Sequence, residues 1–251
     1  MPSPTVPSTP PTILALDTST ERLAVALQVA DRCWSVVAEG GAQASTRLLP
    51  QVRGLLARAG VSYADLDFIA FGRGPGAFTG LRTACAVTQG IAFGLDKPVL
   101  ALDSLLIVAE DARLQAFANV AGLDIGVAMD ARMGEVYAGC YRHQDGLWRV
   151  LQAPALHSAA SLADAWDQVS LQAVAGSALD AFGDRLTLPA TALRIPQEQD
   201  RAAALLRLAL QAAQAGAGID AALALPLYLR DKVAQTTRER EALRAAAALA
   251  P

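Results

Sequence analysis

The chain predicts an α/β protein made of two similar halves, each a mixed sheet with flanking helices, the second half less regular than the first. Two observations carry this reading. An apolar strand ending on aspartate, then a short polar turn and two further strands, occurs near the N-terminus and again mid-chain, with Asp17 and Asp130 in matching places. Between and after these units, stretches with apolar residues at helical spacing alternate with short apolar runs, as in helices laid on a sheet. Hydrophobic residues make up 53% of the 251 positions, enough to build the core that such a fold needs.

Residues 1–12 are rich in Pro, Ser and Thr, with no basic start and no apolar core; they read as a disordered tail and not as a secretory signal. The first unit is expected over 13–104. Ile13–Leu16 is a strand ending on Asp17, Thr18–Arg22 a turn, and Leu23–Val29 and a segment around Trp34–Ala38 complete a meander. Ser45–Ala59 places Leu48, Leu49, Val52, Leu55, Leu56 and Ala59 at helical spacing. Strand Leu66–Phe71 follows, then the loop Gly72–Arg82 (GRGPGAFTGLR), a helix to Leu95 with Thr79 as its candidate cap, strand Pro98–Leu102 and helix Ser104–Ala118.

The second unit is expected over 105–230. Strand Ile125–Met129 ends on Asp130, the turn Ala131–Gly134 follows, then strands Glu135–Tyr141 and Gly146–Leu151. Helix Ser158–Val169, strand Leu171–Ala175, short helix Ser177–Leu186, helix Gln197–Ala215 and extended Pro226–Arg230 complete it. The tail 231–251 is alanine-rich and helical in propensity.

Composition excludes several classes. Net charge is −3, and Lys97 and Lys232 are the only lysines, so no basic stripe for nucleic acid is present. Cys33, Cys85 and Cys140 are odd in number and far apart, which suggests reduced, buried thiols in a cytoplasmic protein. No apolar run is long enough to cross a bilayer; the longest candidate, Gly90–Val108, is broken by Asp96, Lys97, Pro98 and Asp103. His143 and His157, in a predicted turn and linker, form no metal-binding motif and are expected at the surface. There is no G-x-S-x-G elbow and no partner near any cysteine to activate it.

The glycine loop admits two readings. A strand, a glycine turn and a helix N-terminus can hold an anion on free N–H groups, and the same arrangement makes any tight strand-to-helix connection. The loop lacks both the Lys-Ser/Thr ending of a P-loop and the G-x-G-x-x-G spacing. The paired aspartate hairpins resemble the actin, Hsp70 and sugar-kinase superfamily, which implies an ATPase or ATP-dependent phosphotransferase. Gripping a phosphate there wants glycine in the hairpins, yet the first reads Asp17-Thr18-Ser19-Thr20 and the second has only a late Gly134. Gly176 stands alone where an adenine site would want a glycine pair. Asp17, Thr18, Asp130, Arg132 and Gly176 are therefore either remnants of nucleotide hairpins or ordinary turn residues, aspartate being a routine acceptor for turn N–H groups. The helix after the loop carries two rows of small residues, Gly80/Ala84/Thr88 and Ala86/Gly90/Gly94, which suit either close core packing or a partner helix.

ILALDTST at 13–20, FGRGPGAFTGLR at 71–82, QGIAFGL at 89–95, MDARMGEVYAGCY at 129–141 and PLYLR at 226–230 resemble the bacterial TsaB (YeaZ) family, from about Ile13 to Arg230. The resemblance implies an actin-like fold of two domains, the second degenerate, and a non-catalytic role in placing threonylcarbamoyl on N6 of adenosine 37 of tRNA. It implies no cofactor, a catalytic metal-bearing paralogue (TsaD) as partner, a further partner in the TsaE ATPase, a homodimer through the same helical face, and tRNA held only through the complex. A metallopeptidase is an older label for the wider family, for which this chain shows no ligands. Carried onto this chain, the partner interface falls on Leu48, Leu49 and Val52 of the first helix and on Thr79, Arg82, Ala86 and Gly90 of the second. Many members carry a histidine before the Arg-Leu-Leu-Pro segment, where this chain has Ala44.

Overall fold

The computed structural model describes residues 10–230; the tail 231–251 and residues 1–9 of the expected N-terminal tail lie outside the described residues. Thr12 joins the fold through its N–H to the Asp67 carboxylate and its carbonyl to the Asp67 N–H, both 2.8 Å.

Strands β1 (Ile13–Asp17), β2 (Arg22–Val29) and β3 (Arg32–Glu39) form the expected antiparallel meander. On the other side of β1, β4 (Phe68–Gly74) and β5 (Val99–Asp103) add in parallel. The second half repeats this with β6 (Gly122–Arg132), β7 (Glu135–Gln144), β8 (Leu147–Ser158), β9 (Ala173–Ala175) and β10 (Leu193–Ile195). Sheet orders β3-β2-β1-β4-β5 and β8-β7-β6-β9-β10 are the same topology twice, the duplicated actin-like architecture.

The helices are α1 (Ala44–Ala59), α2 (Phe78–Leu95), α3 (Ser104–Ala116), α4 (Leu162–Trp166), α5 (Ala178–Phe182) and α6 (Arg201–Gln214). Alternation along β1 decides what covers each face of the first sheet. Leu14 and Leu16 pack with α1 and α2, while Ile13 and Ala15 pack with α6. In the second sheet, Ile125 and Val127 meet α3, and Ala128 lies on the side of α4 and α5. Leu14, Leu16, Leu23 and Leu27 are fully buried, each contributing roughly 1.5–3 kcal/mol by leaving water. Although α6 belongs by sequence to the second half, its apolar face covers the first sheet.

Three acidic side chains tie α3, α6 and the sheets together, and the bond of Asp103 links β5 of the first sheet to β7 of the second. Glu110 on α3 accepts from Arg113, from Trp148 of β8 and from Arg207 of α6. Asp111 accepts the N–H groups of Gln199 and Asp200 ahead of α6, and Asp103 accepts the Tyr141 hydroxyl at 2.6 Å.

Several elements depart from expectation. β8 runs to Ser158, so the helix expected from that residue shrinks to α4; β8 is an edge strand, where Pro154 removes no needed ladder bond. The two histidines therefore lie in strands, and His143 is buried against Trp148 instead of exposed in a turn. Cys85 and Cys140 are buried as expected, but Cys33 on edge strand β3 is exposed.

Candidate functional site

The first hairpin and the glycine loop form one packed unit. Asp17 ends β1 with no exposed surface. Its Oδ1 accepts the Ser19 N–H at 2.9 Å and Arg201 Nε at 3.0 Å, and the Ser104 hydroxyl reaches Oδ2 at 3.3 Å. Arg201, the first residue of α6, also donates to the Ser19 hydroxyl at 2.8 Å and pairs with Glu198. Burial would lower the Arg201 pKa, but Asp17 and Glu198 outweigh it and raise it, holding the guanidinium charged.

The loop glycines are there to admit this hairpin. A Cβ on Gly72 would stand 1.7 Å from Asp17 Oδ2, and one on Gly80 1.8 Å from the Thr18 carbonyl. Thr18 in turn donates its hydroxyl to the Gly80 carbonyl at 2.7 Å, and the Ala77 N–H donates to the Ser19 carbonyl at 2.7 Å. The loop thus makes a tight strand-to-helix connection packed on the hairpin. Thr79 does not cap α2: Ala77 holds the cap position with no side-chain bond, and Thr79 lies exposed in the first turn.

In the second hairpin the Asp130 Oδ1 accepts the Arg132 N–H at 2.8 Å, and the Ser177 hydroxyl takes the Asp130 N–H at 3.1 Å. Arg132, Met133 and Gly134 follow with φ of 65°, 58° and 78°, a left-handed run in which the two non-glycine residues are strained. The Arg132 guanidinium meets Glu21 of the first hairpin at 3.1 Å, so the hairpins touch at a cleft of about 770 Å³ between the halves. The hairpin groups best placed to grip a phosphate are satisfied within the protein. The hairpin N–H groups of Ser19 and Arg132 are spent on Asp17 and Asp130, the Asp17 carboxylate is neutralised by Arg201, and a Cβ on Gly176 would meet the Ala128 carbonyl at 2.4 Å.

The two small-residue rows of α2 face opposite ways. Gly80, Ala84 and Thr88 are buried against the hairpin and sheet; Ala86, Gly90 and Gly94 are exposed, with open space beside Gly90. Thr79, Arg82 and a largely exposed Phe93 share the outer side. On α1 only Leu49 of the expected interface set is at the surface. Leu48 and Val52 are fully buried, because they share the stripe of Leu55 and Leu56 that packs on the sheet; Leu49 lies about 100° further round the helix.

After α6 the chain returns to the first half. Ile219 and Val99 exchange N–H and carbonyl at 2.9 Å, the Gln89 amide donates to the Ala221 and Ala224 carbonyls, and the Leu227 N–H donates to the Arg73 carbonyl at 2.7 Å. Arg230 then reaches Glu135 and the Arg132 carbonyl in the second half. Arg82 lies 3.8 Å over the Phe78 ring and donates Nε to the Tyr228 hydroxyl at 3.1 Å.

Residues 39–204 match the family model for TsaD, tRNA N6-adenosine threonylcarbamoyltransferase. Over 238 residues the chain is 31% identical to the Escherichia coli tRNA threonylcarbamoyladenosine biosynthesis protein TsaB, covering 88% of this chain and 96% of that protein. The chain belongs to the TsaB family. The solved structure of YeaZ from Pseudomonas aeruginosa superposes with a TM-score of 0.77 at 41% identity, covering 87% of this chain and all 100% of that one. A second P. aeruginosa structure, described as an uncharacterized protein with similarity to peptidase YeaZ, gives a TM-score of 0.78 at 42% identity over 88% of this chain and 100% of its own. The TsaD match makes this TsaB chain a paralogue of that transferase family. Among the described residues no group of three or more His, Cys, Asp or Glu is placed to hold a metal ion, and no helix is long and apolar enough to cross a membrane.

Sequence reasoning missed Arg201 and Ser104 as partners of Asp17. A signal was available: Arg201 sits on the apolar stripe of α6, four and seven residues before Leu205 and Leu208, where an arginine must find a buried acid.

Proposed function

We propose that this TsaB chain is the non-catalytic subunit that docks and supports a TsaD-type threonylcarbamoyl transferase in the modification of tRNA at N6 of adenosine. Unit 13–104 supplies the docking helices and 105–230 braces them. The observation that carries the reading is the division of α2: its inner small-residue row is locked on the first hairpin, and its outer row, Ala86 and Gly90, is left open to solvent. Helices approach closely over such rows. Leu49, Thr79 and Arg82 border that outer surface, while Asp17, Thr18, Asp130, Arg132 and Gly176 serve as structural remnants of the superfamily's hairpins. A homodimer through the same face, an encounter with the TsaE ATPase once the transferase is bound, and a cytoplasmic setting belong to the same proposal.

The test is binding of the purified chain to the transferase from the same organism, with Ala86→Arg as probe. The expected result is complex formation by the wild type and a loss of at least about tenfold in affinity in the variant, at unchanged melting temperature. Loss of stability together with affinity would make Ala86 a core residue and end the assignment. Depletion of the chain should also lower threonylcarbamoyladenosine in tRNA; unchanged modification would overturn the function itself.

A further inference from the structure

The return segment 217–230 lies along one flank of α2, running in the opposite direction. Tyr228 stands beside Phe78 and Arg82 in the first turns, Ala224 beside Cys85 and Gln89, and Ala221 beside Gln89. Its burial is the reverse of what hydrophobicity alone would give. Ala221 and Ala224 are buried, whereas Leu223 and Leu225 are 66% and 63% exposed, and Tyr228 is exposed as well. The segment is thus anchored by small side chains and hydrogen bonds, with its large apolar side chains turned outward. Large apolar groups gathered beside an open helix face mark an interaction surface.

Arg82 adds a charge to this surface in a prepared geometry. Its Nε is spent on the Tyr228 hydroxyl and its plane lies on Phe78, which fixes the guanidinium and leaves its terminal NH2 groups for a partner. Among the described residues no carboxylate is within ion-pair distance of Arg82, whereas Arg47, Arg132, Arg142 and Arg207 each have one. A held arginine beside an exposed Tyr side chain is the composition of an interface hot spot, because little side-chain freedom is left to lose on binding.

The geometry points to a docking face of three elements instead of two: α1, α2 and the return segment, with the exposed Leu223 and Leu225 on either side of Ala224, which packs on the Cys85–Gln89 flank of α2, and with Tyr228 positioning Arg82 to take a carboxylate of the transferase subunit. This rests on the reading that the outer face of α2 docks that subunit. The occupant is the helix-bearing surface of the transferase subunit with an aspartate or glutamate among apolar side chains, since Leu223, Leu225, Ala86 and Gly90 are apolar and exposed and Arg82 has no carboxylate partner among the described residues.

The test is the affinity of the full chain for the purified transferase at several salt concentrations, with melting temperature followed throughout. The Leu223→Asp/Leu225→Asp double variant is expected to bind about tenfold more weakly or worse. Arg82→Ala is expected to lose about tenfold and to flatten the salt dependence. Tyr228→Phe keeps the ring and removes only the hydroxyl; it should cost roughly threefold, and nothing further in the Arg82→Ala background, because it acts through Arg82. Should the aspartates unfold the chain, Leu223→Ser/Leu225→Ser replaces them with the same expectation. Wild-type affinity in the leucine and Arg82 variants, with binding still lost in Ala86→Arg, would overturn the three-element face and leave the docking reading standing. No binding by the wild type would overturn both. Effects confined to self-association would make the occupant a second copy of this chain and overturn the proposal.

Discussion

In both halves the first strand ends on an aspartate whose Oδ1 accepts the N–H two residues on, at 2.9 Å for Asp17 and 2.8 Å for Asp130, yet the surroundings of the two turns differ completely. Asp17 has no exposed surface, a buried arginine as counterion and the start of α2 packed onto its turn. Asp130 lines the cleft and is partly exposed, beside an exposed Arg132 and a run of positive φ angles. The same local chemistry therefore supports two different duties. One turn is a foundation, on which the exposed helix stands; the other is a surface turn that contributes little beyond its own geometry. Burial, and not the aspartate itself, makes the difference.

The sharpest way to break this comparison is to remove the arginine. Arg201→Met leaves Asp17 charged and unpaired in the interior, which should cost about 3–5 kcal/mol in urea denaturation; Asp130→Asn should cost under about 1 kcal/mol. Equal costs would mean that the two turns do not differ in role. Next in size is one substitution made twice on α2. Gly80→Ala drives a methyl into the Thr18 carbonyl and should cost about 1–3 kcal/mol, whereas Gly90→Ala meets open space and should gain about 0.5–1 kcal/mol. The same sign at both positions would undo the assignment of inner and outer rows.

Smaller again is a pH effect at the buried acids of α3 and β5. Burial pushes the Glu110 carboxyl up, but Arg113, Trp148 and Arg207 outweigh it and leave its pKa below the usual value. Its stabilising contribution is then present above about pH 4.3 and is lost as pH falls through the folded-state pKa. Glu110→Gln should flatten that acid limb. Asp103 has the opposite sign, since burial raises its pKa against the opposing bonds from Tyr141 and Leu105. Its contribution is present below about pH 3.9 and is lost as pH rises through the raised value, so Asp103→Asn should flatten the slope on that side. The smallest effect is expected at the exposed Glu21–Arg132 pair, where Glu21→Gln should change stability by less than about 1 kcal/mol; a larger loss would mean that contact between the hairpins holds the halves together.

Much of this fold was legible because it is periodic. The meander strands, α1 and α6 show their apolar stripes directly, and the repeated strand–Asp–turn announces the duplication. The outer limits of elements were harder: β8 continues through Pro154 because an edge strand tolerates it, and β10 is three residues long. Periodicity shows that a helix has a buried face and is silent about which sheet buries it, so the placement of α6 on the first sheet could not be read. The same limit applied at the candidate site. Leu48, Leu49 and Val52 looked equivalent as apolar helix positions, and only the packed structure turns two of them inward. Asp17 stands out in the sequence for its turn, but its counterion lies 184 residues away, and no local pattern connects the two.

The crossing of α6 also orders events during synthesis. Ile13, Ala15, Ala24, Ala26, Ala70 and Leu100 present an apolar face that is fully covered only when residues 201–214 have emerged and folded back. The first half, although made first, is thus among the last parts to be completed, and a nascent chain halted near residue 150 would display a sticky sheet that chaperones and proteases could recognise. Emergence of α6 is what closes it, so the molecule should mature as a single cooperative unit and not half by half.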